Sequence, residues 1–222
     1  MIKLYDYELS GNCYKLRLLM NMLGVKYEAI PVDFYPGREH KSDWFLKINP
    51  LGQLPVLVDD GLVLRDAQAI LVYLAAKYDS TGKWYPVDDA AMLGDIGQWL
   101  AFADGITATS SAARLHEGLF YDFDIEACRK GAHRLFRILD EHLWFAEKQG
   151  QDWICPAAHP TIAEIACFPY VILSEEGGIS RQDYPAIRRW CDRVKRIPGF
   201  IVMSGVFPAG PAGDRLADRP AA

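Results

Sequence analysis

Through residue 80 the chain alternates short β-rich runs with helical patterns, and from residue 89 to residue 207 no convincing strand pattern returns. Strands bury a face at a period of two and helices a stripe at about 3.6, so one sheet-based core cannot run the length of such a chain. The segment 81–88, with Gly82 and Pro86 among polar residues, breaks the chain where the period changes. The expectation is a mixed α/β domain over 1–80, a linker over 81–88 and an all-helical domain over 89–207. With 222 residues, half of them hydrophobic, the chain is long enough to form two cores of ordinary size.

Ile2 to Tyr7 reads as a first strand, followed by a turn at Leu9-Ser10-Gly11-Asn12. Leu16, Leu19, Met20 and Leu23 then recur at helical spacing, and Gly24 suits the residue just past a helix end. Tyr27 to Val32 is a second strand, parallel to the first because a helix separates them, with Pro31 marking an edge. Leu54 to Val58 and Leu62 to Leu64 flank Asp59-Asp60-Gly61, a hairpin signal, and Asp66 is an N-cap for a helix over Ala67 to Ala76. In the second domain Ile125, Cys128, Ala132, Leu135, Leu139, Leu143 and Ala146 step by three and four, which only a helix produces. Thr161 and Glu164 form a capping box before another apolar helix, a structural pair whose loss would cost about 1 kcal/mol or more. The tail over 208–222 has too little apolar content to pack and is expected to be mobile.

Composition removes several function classes. Lys and Arg number 24 against 29 Asp and Glu, and no block of five like charges occurs, so neither nucleic acid nor an anionic membrane is an expected partner. The charges of Lys3 and Asp6 fit neither a signal peptide nor a membrane span, which implies a cytoplasmic protein. Cys13, Cys128, Cys155, Cys167 and Cys191 show no C-x-x-C pair, arguing against disulfides and zinc and for reduced, mostly buried thiols. His116, His133, His142 and His159 lack metal-ligand spacing, so no metal is expected.

The order β-α-β, an irregular helix-bearing segment, then β-β-α, with proline opening the third strand, is the thioredoxin-like plan. Four segments extend the match: Ser10-Gly11-Asn12-Cys13-Tyr14-Lys15, the run from Asn49-Pro50 through Gln53-Leu54-Pro55 to Leu57, Asp66-Ala67-Gln68-Ala69-Ile70, and Pro160-Thr161 through Glu164 to Ala166. In this order, over about residues 1–207, the chain resembles the cytosolic glutathione transferases, in the serine/asparagine-turn form known from bacteria. The resemblance implies an α/β thioredoxin-like N-terminal domain and an all-α C-terminal helical domain. It also implies glutathione as co-substrate, a small apolar electrophile as its acceptor, and a homodimer.

By the same resemblance Ser10 donates its hydroxyl to the glutathione sulfur, with Asn12 as a second donor. Both stand before a helix whose unpaired N–H groups favour an anion, although turn and cap duty alone would also place such residues here. Lowering a free thiol pKa of about 8.5 by two units requires about 2.7 kcal/mol, within reach of one charge-assisted hydrogen bond and a helix end. Some relatives use a cysteine in this turn, but Cys13 stands one place beyond that slot and reads as a buried bystander. The resemblance makes Leu54-Pro55 a cis peptide whose leucine offers its backbone to the cysteinyl part of glutathione; the residues alone also allow a trans proline opening an edge strand.

Asp66 would pair with the γ-glutamyl ammonium while the helix end receives the γ-glutamyl carboxylate, and Ala67 departs from the serine that relatives carry. The missing hydroxyl removes one hydrogen bond, about 0.5–1.5 kcal/mol net, and weakens glutathione several-fold. His40 and Gln53 match positions that reach the glycyl carboxylate, with Lys41 nearby; His40 could equally be an exposed helix residue. Trp99, Phe102, Ile106 and Arg114 could wall the electrophile pocket or simply pack, in the domain or at a dimer seam. Rival readings are a glutathione-dependent disulfide reductase, a maleylacetoacetate-type isomerase, against which Asn12 counts, and a transferase-fold module that only binds protein partners.

Overall fold

A four-stranded mixed sheet organises the first domain of the computed structural model, which describes residues 1–203. The expected mobile tail lies outside the described residues. Strand β1 (Ile2–Asp6) pairs in parallel with β2 (Tyr27–Pro31) and antiparallel with β3 (Val56–Asp59), which pairs antiparallel with β4 (Leu62–Leu64). The order β2-β1-β3-β4 puts Pro31 on an edge, where its missing N–H breaks no interior ladder. Helix α1 (Gly11–Met22) makes the crossover and ends as the sequence predicts. Gly24 has φ 66°, its N–H donates to Asn21 O, and Val25 N–H donates back to Met20 O, a Schellman closure. Asp60 (φ 48°) and Gly61 (φ 84°) form the two-residue β3–β4 turn, both with the positive φ that a twisted hairpin requires.

Leu54 and Pro55 precede β3 rather than opening it. Proline supplies no N–H for pairing, so the ladder starts at Val56; the Leu54–Pro55 peptide is cis. Between β2 and β3 lie a 3-10 turn at Glu39–Lys41 and helix α2 (Asp43–Ile48), capped by Ser42. Helix α3 (Ala67–Tyr78) follows Asp66, whose carboxylate accepts from Ala69 N–H at 2.8 Å. The segment after it is tethered: Trp84 N–H donates to Asp79, and Trp84 O accepts from Ile162 N–H at 3.0 Å.

The rest of the described chain is helical: α4 (Ala90–Ile106), α5 (Ala112–Leu119), α6 (Ile125–Lys148), α7 (Ile162–Ile172) and α8 (Pro185–Val194). A π turn at Thr107–Ser111 joins α4 to α5. Thr107 and Thr109 hydroxyls donate back to Ala103 O and Gly105 O, competing with the regular helical ladder at this point. Helix α6 buries Ala132, Leu139, Leu143 and Ala146 from the expected stripe, and α7 begins with the expected capping box. Glu164 is fully buried and does more than cap: its Oε1 accepts from Ile154 N–H at 2.6 Å and its Oε2 from Thr161 N–H at 2.7 Å. Helix α7 packs against α1, α3 and α4, so one hydrophobic core runs through both domains. No helix among the described residues is long and apolar enough to cross a membrane.

Candidate functional site

The turn between β1 and α1 is held from several sides. Arg17 pairs with Asp6 and donates to Glu8 O at 2.8 Å, while Arg114, reaching over from α5 and paired with Glu176, donates to Leu9 O at 2.7 Å. Ser10 closes the turn in extended geometry as N-cap of α1, its Oγ accepting from Cys13 N–H at 3.2 Å. That bond occupies the oxygen and leaves the hydroxyl proton for a ligand. Asn12 N–H donates to Tyr170 Oη at 3.1 Å, a link spanning 158 positions of sequence. Asn12 Oδ1 is buried and has no partner among the described residues, which leaves an acceptor open to a ligand donor.

Gly11 is what permits this closeness. A Cβ there would lie 2.5 Å from Tyr170 Cε1, inside van der Waals contact. Gly11→Ala is therefore expected to displace the Tyr170 ring and to cost about 1–3 kcal/mol of stability, measured by urea unfolding. A loss below about 0.5 kcal/mol would show that the ring can yield freely.

These groups open into a cleft of about 290 Å³ between the domains. Ser10, Asn12, Gln53, Leu54, Asp66 and Ala67 form one wall. Asp104 of α4, Thr107 and Ser111 of the π turn, Arg114 and Leu115 of α5, and Tyr170 of α7 form the other. The first-turn amides of Ala67 and Gln68 have no acceptor within α3, so a second helix N-terminus borders the cleft. Burial and the neighbouring Asp66 carboxylate both push Asp104 above the usual carboxylate range. A cationic ligand group beside the two acids would offset that strain.

The expected electrophile wall is corrected for three residues. Trp99, Phe102 and Ile106 do not line the cleft: Trp99 and Ile106 are buried in the shared core, and Trp99 packs against Phe102 and His142. Steps of three and four from Trp99 keep Ala103 and Ile106 on the core face, whereas Asp104 and Thr107 turn to the cleft. Arg114 alone of the four borders it. His40 is not exposed either; its ring is buried and stacked on Phe34 at 4.1 Å, behind the cleft wall that Phe34 itself forms. Burial and the adjacent Lys41 and Arg38 push its pKa down, favouring the neutral imidazole. Pro55 lies beside the lining Leu54 without itself bordering the cleft.

Cys13 is fully buried with Val32, Phe45 and Val56, and burial pushes its thiol up to about 12. It lies outside the cleft lining. Among the lining residues that sequence reasoning missed are Asp104, Thr107, Ser111 and Tyr170, with the apolar Leu115 and Leu119. Asp104, an acid inside an apolar helical stretch, and the hydroxyl run Thr107 to Ser111 left a local signal; Tyr170 left none.

The arrangement suits an elongated zwitterion with an acidic thiol. One helix end with a hydroxyl and an amide can stabilise a sulfur anion, a second can receive a carboxylate, and the paired acids can take an ammonium. The family profile "Glutathione S-transferase, N-terminal domain" matches residues 4–82, and "Glutathione S-transferase, C-terminal domain" matches residues 122–193. A Clonostachys rogersoniana protein named glutathione S-transferase verG is 26% identical over 208 residues, covering 85% of this chain and 80% of its own. The crystal structure of a possible glutathione S-transferase from Rhodopseudomonas palustris superposes with a TM-score of 0.80 at 29% identity, covering 91% of this chain and 97% of that one. A glutathione transferase homolog from Lodderomyces elongisporus, solved with two GSH per subunit, gives a TM-score of 0.76 at 25% identity over 89% of this chain and 94% of that one.

Proposed function

The chain belongs to the glutathione S-transferase family, and from that premise we propose that its interdomain cleft binds glutathione, stabilises the thiolate at Ser10 and Asn12, and conjugates it to a small apolar electrophile. The observation that carries this reading is the meeting of two helix N-termini in one cleft, Ser10 and Asn12 at the first and Asp66 and Ala67 at the second. Glutathione lies between them with its sulfur at α1 and its γ-glutamyl carboxylate at α3. Its ammonium sits by Asp66 and Asp104, its cysteinyl backbone against Leu54, and its glycyl carboxylate toward Gln53. His40 acts from behind, backing Phe34. The electrophile takes the side bounded by Leu115, Leu119 and Arg114.

The energetics are adequate for the chemistry. A helix end supplies about 0.3–1 kcal/mol and a hydrogen bond to a charged sulfur about 1.5–3 kcal/mol, against the 2.7 kcal/mol or so that a two-unit drop in thiol pKa requires. The test is calorimetric titration with glutathione alongside conjugation of chlorodinitrobenzene. Saturation at or below millimolar glutathione with measurable conjugation is expected, and an absence of binding at that concentration sinks the reading. Reduction of hydroxyethyl disulfide, run in parallel, tests a second reading favoured by the likeness to the Lodderomyces elongisporus homolog with two GSH per subunit.

Cys13→Ala is expected to leave conjugation within about twofold, because a buried thiol held protonated takes no part in the step. Loss of activity with the melting temperature unchanged would transfer the thiol chemistry to Cys13. A homodimer and a cytoplasmic setting complete the reading on family grounds, and light scattering on the purified protein checks the first.

A further inference from the structure

Two hydroxyl oxygens share the N-terminus of α1. Ser10 Oγ accepts from Cys13 N–H at 3.2 Å and Tyr170 Oη accepts from Asn12 N–H at 3.1 Å, adjacent amides of one helical turn, and both side chains line the cleft. Tyr170 comes from α7 and is 5% exposed, with its ring pressed against Gly11. Ser110 Oγ donates to its carbonyl at 2.6 Å, fixing the backbone as well as the ring. The Asn12 N–H donates to the phenolic oxygen at 3.1 Å, and the nearby Ser111 side chain and Arg114 charge also act to lower the phenol's pKa. That bond uses a lone pair of the oxygen, so the phenol keeps an O–H that can donate to a cleft occupant. Burial outweighs those bonds and raises the pKa, so at neutral pH the group is a protonated donor rather than a phenolate.

A charge lies beneath the ring. Lys15, one turn along α1 from Gly11, is fully buried, and its Nζ has no hydrogen-bond partner among the described residues. It stands 5.5 Å from the Tyr170 ring centroid. Burying an unpaired ammonium is costly, and the π face is the contact that compensates it here. The other groups that act on Lys15 are Cys167 of α7, Asp104 of α4 and Asp66 at the start of α3. Burial pulls the Lys15 ammonium down to about 8. A cation over the ring draws electron density from the phenol and strengthens its O–H as a donor.

We propose that Tyr170 is a second catalytic hydroxyl, donating its O–H to the glutathione sulfur beside Ser10, with Lys15 as a positioning residue beneath its ring. The proposal rests on the cleft being the glutathione site. No bond to Tyr170 is made or broken. The thiol proton leaves to solvent, the sulfur lone pair forms the new bond to the electrophile, whose leaving group departs with its bonding pair as chloride does from chlorodinitrobenzene, and the Tyr170 O–H stays intact while stabilising the thiolate beforehand.

Tyr170→Phe keeps the ring, and with it the contacts to Gly11 and Lys15, while removing the donor. Thiolate formation is followed by the ultraviolet absorbance of bound glutathione against pH, with binding measured separately by calorimetry. Glutathione Kd is expected to stay within about threefold, the bound-thiol pKa to rise by about one unit, and conjugation below that pKa to slow about tenfold. Lys15→Met is expected to move the thiol pKa in the same direction by less, and Lys15→Arg to restore it. An unchanged thiol pKa in a Tyr170→Phe protein of native melting temperature overturns the proposal, as does loss of glutathione binding without a pKa shift. Failure of the native protein to bind glutathione is a different result, and it sinks the site assignment itself.

Discussion

Ser10→Ala is expected to lower kcat/KM for conjugation by about 100-fold while changing the glutathione Kd by less than about threefold. The first figure corresponds to about 2.7 kcal/mol, the worth of one hydrogen bond to a charged group, and the second follows because the remaining anchors at Gln53, Leu54 and Asp66 are untouched. Ser10 also caps α1, so the alanine variant should lose about 1 kcal/mol of stability as well. A second substitution separates the two roles. Ser10→Asp retains an acceptor for Cys13 N–H but places a carboxylate where the thiolate would sit, so it should fold normally and be inactive. If Ser10→Asp conjugates at near-native rate, Ser10 only caps and the thiol role passes to Asn12 and Tyr170.

Glu164→Ala is expected to reduce the free energy of unfolding by about 4 kcal/mol, read from urea denaturation with light scattering to hold oligomeric state constant. The carboxylate satisfies the buried N–H groups of Ile154 and Thr161 and the Thr161 hydroxyl at 3.1 Å, and each orphaned donor costs about 1–3 kcal/mol. The network ties the loop before α7 to its first turn, and α7 carries Tyr170 to the cleft. A loss below about 1 kcal/mol would mean that the freed donors find other partners. The same residue gives a pH signature. Burial, opposed by the hydrogen bonds the carboxylate accepts, raises Glu164 from 4.5 to about 7. Between those values the folded protein keeps the proton that the unfolded chain releases, so this group's contribution is fully present at low pH and declines as pH rises through the window. Glu164→Gln should flatten that decline.

Features that depend on neighbours along the chain are legible in the amino-acid sequence. The glycine closing α1, the Asp60-Gly61 turn, the Asp66 cap, the Thr161–Glu164 box and the stripe of α6 are all satisfied within a few residues, and each stands where its local chemistry requires. The third strand begins at Val56 and not at Leu54 because proline cannot enter the ladder, a local rule that the hydrophobic run conceals. The aromatic wall is misplaced by sequence reasoning for a different reason. Periodicity shows that Trp99 and Ile106 share a face of α4, but which neighbour that face meets depends on how α7 and α6 pack. Asp104 and Thr107, on another face of the same helical run, are the ones turned to the cleft.

Short-range backbone chemistry is enough to set the two-part architecture and many of the turn and cap positions, whereas the first wall of the cleft is legible only through the resemblance of the Ser10–Asn12, Gln53–Leu54 and Asp66–Ala67 segments to the family. The second wall and the electrostatics depend on how distant segments pack. Tyr170 meets Asn12 across 158 positions, Gly11 admits the ring only because the two helices touch there, and the π turn aims Thr107 and Ser111 inward. Lys15 and Glu164 read in sequence as an ordinary helical lysine and an ordinary capping acid. Their burial makes them costly charges with specific partners, and burial is set by which distant surfaces cover a side chain.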